Sequence, residues 1–203
     1  MTIDVVWDGK AYACELVGDA PPTPEPLRVV AYSQNDPRWR NEVYASRLTF
    51  GQAGCLVVSV AMIASLAYAE APLPPDVARE LRRVGAFSGD MLAHPARIPQ
   101  AYNQLEWGGA IHWRTRAADI NFLKAEIDRY GGAICEVKWN PNGASPEQNN
   151  QHFIVVEGIA GNDALIVDPW TGERGLLSAT RYRLSGWDAA RTLYGIRLVR
   201  PKA

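Results

Sequence analysis

The chain is short of cysteine: Cys14, Cys55 and Cys135 are widely spaced along 203 residues. An odd number with no Cys-x-x-Cys spacing argues against a disulfide framework or a thiolate metal cluster and leaves at least one thiol free. Excess charge of either sign is also lacking. Lys and Arg number 21 against 22 Asp and Glu, a formal net charge of -1, and the basic residues, mostly arginine, are scattered. Without a basic stripe there is no electrostatic case for nucleic acid or an anionic membrane surface as a partner. The longest apolar run, Leu56 to Ala69, is broken by Ser59 and Ser65 and is too short to span a bilayer. The start, Met1 to Asp8, has neither the basic end nor the apolar stretch of a secretory signal. The expectation is a soluble chain with no membrane insertion. Histidine is scarce as well: neither His94, before Pro95, nor His112, beside Trp113, has a thiol or carboxylate at ligand spacing. No metal and no other cofactor is therefore expected.

What is present suits a folded domain. Apolar residues make up 47% and charged residues 21%, so a chain of this length can bury a core without a disulfide or metal staple. Val5-Val6-Trp7 and Ala11-Tyr12-Ala13 flank Asp8-Gly9, a dipeptide suited to the positive φ angles of a tight hairpin. Pro21-Pro22-Thr23-Pro24-Glu25-Pro26 follows as a stiff spacer. Residues 1–26 thus read as a hairpin and spacer, and 27–203 as the main domain.

Within that domain, Arg28 to Ser33 reads as a short strand and Gln34 to Ala53 as a long loop. Cys55 to Ala69 is apolar nearly all round, and its length favours a buried central helix over a strand. Asp76 to Val84 is an amphipathic helix stopped by Gly85. A second helix is capped by Asp119, places Ile120, Leu123, Ile127 and Tyr130 on one face, and ends at Gly131-Gly132. Strands are expected over Ala110–Arg114, Ala133–Trp139, His152–Ile159, Ala164–Asp168 and Leu193–Val199. Helices come first and strands after, which predicts an α+β domain with a helical half packed on a largely antiparallel sheet.

Cys55, at the start of the central helix, faces unpaired N–H groups and the positive end of the helix dipole, which favour its thiolate. The strands 152–159 and 164–168 are joined by Ala160-Gly161-Asn162-Asp163, so a tight hairpin brings His152 and Asp168 to the same edge, with a bulge or twist taking up any register offset. If the helix start faces this edge, the chain supplies a thiol nucleophile, an imidazole base and a carboxylate that orients the base. The backbone N–H of Cys55 can receive an oxyanion. The side-chain amide of Gln34 or Gln52 supplies a second donor.

Four blocks carry a resemblance: Tyr32-Ser33-Gln34-Asn35-Asp36-Pro37-Arg38-Trp39, Phe50-Gly51-Gln52-Ala53-Gly54-Cys55, Gln151-His152-Phe153-Ile154-Val155-Val156-Glu157-Gly158 and Ile166-Val167-Asp168-Pro169-Trp170. In this order they resemble the bacterial papain-like cysteine peptidases related to bacteriocin leader-processing enzymes, the C-39-like group, over about residues 28 to 199. The resemblance implies a papain-like fold with Cys55 as nucleophile, His152 as base, Asp168 as orienter and Gln34 as oxyanion-hole amide. Many relatives carry glycine and proline after the cysteine. Here Leu56 and Val57 follow it, as in what looks like a phage-associated branch.

Other readings stand beside this one. Cys135 lies in the alternating segment Ala133 to Val137 and Cys14 follows a hairpin strand, so both are assigned to packing. Of seven tryptophans, only Trp39, Trp139 and Trp170 fall near the cleft segments. The polar loop Asn140 to Gln151 is either a substrate-gating edge or a plain surface loop. The function read from these features is hydrolysis of a peptide or isopeptide bond, with a peptide or protein as partner. The alternatives are a phage or bacterial cell-wall peptide hydrolase using the same residues, or a non-catalytic papain-like binding module.

Overall fold

The computed structural model describes the backbone of residues 2–7 and 10–15, and residues 28–113, 116–139, 151–182 and 188–202. Strands β1 (Thr2–Trp7) and β2 (Lys10–Glu15) pair antiparallel with Trp7 opposite Lys10. This is the pairing expected around Asp8-Gly9, although those two residues and the proline spacer lie outside the described residues.

The main sheet has six strands, all paired antiparallel. These are β3 (Leu105–His112), β4 (Ala133–Lys138), β5 (Gln151–Ala160), β6 (Asp163–Asp168), β7 (Glu173–Leu176) and β8 (Gly195–Pro201), in the order β3-β8-β4-β5-β6-β7. Helices α1 (Phe50–Ala53), α2 (Cys55–Ala64), α3 (Pro74–Arg83) and α4 (Ile98–Ala101) precede all of it; α5 (Ile120–Tyr130) and α6 (Ala189–Thr192) are interleaved. The α+β arrangement implied by the papain-like resemblance, a buried central helix on an antiparallel sheet, is present.

Both faces of the sheet are covered, which goes beyond a helical half on one side. Ile134, Phe153, Val155 and Val167 pack with Val57, Val60, Ala61 and Ala64 of α2. The alternate positions Cys135, Val137, Ile154, Val156 and Ile166 pack with Leu123 and Ile127 of α5. Period-two alternation therefore sends successive side chains into two different cores. That is why Ala133–Val137 and His152–Val156 are buried without a break.

Several expected elements differ. Helix α2 ends at Ala64 rather than Ala69, because the next turn tightens: Ser65 N–H is shared between Ala61 O and Met62 O, and Ser65 Oγ donates to Met62 O at 2.6 Å. Arg28 to Ser33 forms no ladder. Two of its N–H groups go to side chains, Val29 to Glu157 Oε1 at 2.9 Å and Val30 to Ser65 Oγ at 2.7 Å. The loop before Cys55 closes with the helical turn α1, capped reciprocally by Thr49 and Gln52. Strand β3 starts at Leu105 rather than Ala110, through an irregularity between Trp107 and Ala110 where Gly109 takes φ 106°. Strand β8 starts at Gly195 rather than Leu193, because the Leu193 N–H closes α6 on Ala189 O. Helix α5 follows expectation, with Asp119 accepting from Phe122 N at 3.0 Å and left-handed Gly131 closing it.

Candidate active site

Cys55 is the first residue of α2, and Gly54 is its cap. A Cβ at position 54 would lie 2.8 Å from both Phe50 O and Phe50 Cδ1, so the turn from α1 into α2 requires glycine there. Cys55, in the first turn of α2, lines the same cleft as His152 and Phe153 of β5. Cys55 remains partly accessible. His152 and the backbone groups of Phe153 and Leu56 act on its sulfur.

His152, 2% exposed, sits near the start of β5 opposite Val137 of β4. From the turn at Gly161 the ladder runs Ala160↔Asp163, Ile159↔Ala164, Gly158↔Leu165, then slips by one residue to Val156↔Ile166 and Val155↔Val167. Glu157 is the extra residue. Continued from there, Asp168 faces Ile154 and shares the face of His152, two residues on. Without the slip Asp168 would face Val155 and point to the other side of the sheet. His152 Nε2 and Asp168 Oδ1 are 2.9 Å apart. The carboxylate only accepts, so Nε2 carries the proton and Nδ1 is left for the sulfur.

Asp168 has two further donors: Trp170 N to Oδ1 at 2.9 Å and Tyr182 Oη to Oδ2 at 2.6 Å. Tyr182 is buried beside the imidazole, with ring centroids 5.0 Å apart. No periodicity or spacing in the sequence singles it out. Trp139 packs edge-on against His152 at 5.1 Å and against Trp170 at 4.6 Å.

Gln34 is 2% exposed and lines the same cleft as Cys55. The first and last sequence blocks meet to place it. Gln34 N donates to Pro169 O at 2.6 Å, while Ser33 Oγ and Asn35 Nδ2 both donate to Trp170 O, at 3.0 and 2.9 Å. Its Nε2 reaches Gly51 O at 3.4 Å. Gln52, by contrast, is exposed and its Oε1 accepts Thr49 N at 2.9 Å. Trp39, expected near the cleft, is a core residue whose Nε1 donates to Ser33 O at 2.9 Å.

The electrostatics follow from these contacts. Burial pushes the Cys55 thiol up, but the hydrogen bond and charge of His152, with the backbone groups of Phe153 and Leu56, bring it below its ordinary value. Burial alone would lower His152. The hydrogen bonds and charges of Asp168 and Cys55 reverse this and raise it to about 9. Asp168, which burial would raise, is held below the usual carboxylate range by His152, Tyr182 and Trp170 N. A proton is thus favoured on the imidazole over the sulfur.

The cleft, about 750 Å³, is lined by Cys55, His152, Gln34, Trp139 and Trp170 together with the apolar Leu48, Phe87, Met91 and Leu92. Cys135 is fully buried, and burial raises its thiol far above the ordinary range, so it is a packing residue. Residues 140–150, proposed as a gating edge, and the Cys14 side chain lie outside the described residues. Among the described residues no three His, Cys, Asp or Glu side chains are grouped to hold a metal, and no helix is long and apolar enough to cross a membrane.

No family model matches the chain, and no curated protein matches it. Among solved structures it is similar to the peptidase domain of Streptococcus ComA, described as a bi-functional ABC transporter involved in a quorum-sensing pathway. The match has 17% identity and a TM-score of 0.46, and covers 78% of this chain and 97% of that one. So loose a likeness leaves the site to be read from its own geometry.

Proposed function

We propose that this chain is a papain-like cysteine peptidase that hydrolyses a peptide or isopeptide bond through Cys55. One observation carries the reading: His152 is hydrogen-bonded to Asp168 and couples to Cys55 within one cleft that both line. The Cys55 thiolate attacks the carbonyl carbon. The oxyanion is received by the Cys55 N–H, in the first turn of α2 where the helix supplies no acceptor, and by the Gln34 amide. His152, protonated at Nδ1, gives that proton to the leaving amine as the C–N bond breaks, leaving a thioester on Cys55. Water then attacks the thioester with His152 as base. The acid is released and the proton returns to the thiol–imidazole pair.

The same residues serve equally for the peptide stem of a bacterial cell wall. A binding module remains the non-catalytic alternative, and the coupling of Cys55 to a His152 that Asp168 orients favours catalysis over it. The test is mass spectrometry of the protein mixed with a peptide library or with purified cell-wall peptide. The proposal expects cleavage products and a transient thioester on Cys55, both absent in Cys55→Ala. Loss of cell-wall turbidity without cleavage of library peptides selects the cell-wall substrate. No product from either, with a folded protein, selects the binding module.

A further inference from the structure

We propose that Tyr182 is a positioning residue of this site, its hydroxyl locking Asp168 in the orientation that aims His152 at Cys55. The inference rests on the reading of Cys55 and His152 given above. Asp168 Oδ1 already receives His152 Nε2 and Trp170 N, both at 2.9 Å. Held through one oxygen alone, a carboxylate can rotate about its last torsion and swing away from the imidazole. Tyr182 Oη pins the second oxygen at 2.6 Å, the short distance of a bond to an ionised acceptor.

Tyr182 is itself fixed. It is 1% exposed, and its ring lies 5.0 Å from the His152 ring at 30° and 6.1 Å from that of Trp139. Thr180 delivers it: Thr180 Oγ1 donates to Leu177 O at 2.7 Å and accepts Tyr182 N at 3.3 Å. The sheet places Asp168, and a separate turn supplies the group that holds it. A tyrosine serving only the core also needs a partner for its hydroxyl, so the two roles separate on pH behaviour rather than on stability.

Among the described residues, the titratable or charged groups facing Asp168 and Tyr182 are His152, Cys55 and Arg181, whose guanidinium lies 4.1 Å over the Trp139 ring. Removing the hydroxyl takes one donor from the charged form of Asp168, which then protonates at higher pH and no longer receives the imidazole N–H. The acid limb of Cys55 reactivity therefore moves up.

The experiment is the pH dependence of iodoacetamide alkylation at Cys55, read by mass spectrometry in the full chain and in Tyr182→Phe, with the thermal midpoint of each. The proposal expects the acid limb to rise by about one pH unit, and kcat/KM on any cleaved substrate to fall about tenfold through kcat rather than KM. An unchanged limb in a folded Tyr182→Phe overturns the proposal and leaves the Cys55–His152 reading standing. An ordinary thiol profile in the unsubstituted chain overturns both. If Tyr182→Phe does not fold, a ring-fluorinated tyrosine at position 182, a stronger donor, must move the limb down; no movement overturns the proposal.

Discussion

Glu157, the extra residue in β5, turns its carboxylate to Arg174 on β7, with Arg174 Nε 2.9 Å from Glu157 Oε2. The Glu157 side chain is only 3% exposed, and it also accepts Val29 N at 2.9 Å. Arg174 in turn donates to Val29 O. One ion pair thus fastens the slip in the ladder and the segment leading to Gln34.

Glu157→Gln is expected to destabilise the fold by about 1–3 kcal/mol, since a buried charged bond is weakened and Arg174 loses its counter-charge. Its effect on catalysis should exceed that of a surface change, because the slip sets the face of Asp168. Urea unfolding together with kcat/KM checks both. A variant as stable and active as the parent contradicts this account of the bulge.

Gly54→Ala places a methyl group within 2.8 Å of Phe50 O. The expected outcome is a loss of about 1–3 kcal/mol and a displaced Cys55, seen as slower alkylation of Cys55 with Cys135 still protected. Unchanged alkylation contradicts the close contact between position 54 and Phe50.

The two candidate amides separate cleanly. Gln34→Ala should lower kcat by about 10²–10³-fold with little change in stability. Gln52→Ala should cost about 1 kcal/mol of stability through the lost cap of α1 and leave kcat within a few fold. The reverse pattern would give the oxyanion role to Gln52.

Much of this was legible because it depends on local chemistry. The Asp119 cap and Gly131 stop delimit α5, and the turn at Gly161 with Pro169 after Asp168 brackets the hairpin that brings His152 and Asp168 together. The Thr49-x-x-Gln52 pattern that marks α1 was there to be read as a capping box. Gly108-Gly109 inside β3 looks like a break, but Gly109 takes φ 106° at an irregularity and the strand continues to His112; Pro99 lies in the first turn of α4, where proline is tolerated. The end of α2 at Ser65, the side-chain partners of Val29 and Val30, and the bond from Tyr182 to Asp168 are long-range contacts. No short window of sequence carries them.

Stability against pH offers a test independent of substrate. Between pH 6.5 and about 9 the folded thiol–imidazole pair holds one proton, on His152, and the unfolded chain also holds one, on the thiol. With equal proton counts the pair leaves stability flat across this window. In Cys55→Ala the contributions of Cys55 that raise His152 are lost and Asp168 is left to oppose burial. The prediction is that Asp168 prevails, so that the folded state keeps a proton the unfolded state has released, and stability falls as pH rises from 6.5 through the folded value. Urea midpoints across the window should diverge between the two proteins; parallel curves contradict the pairing.

The most direct measurement is the rate of alkylation of each cysteine against pH, in the parent and in His152→Ala. An ion pair predicts that Cys55 reacts ahead of Cys14 and Cys135, with an acid limb well below that of an ordinary thiol that returns toward the ordinary value in His152→Ala. An ordinary limb for Cys55 in the parent, or one that ignores the loss of His152, contradicts the account at its centre.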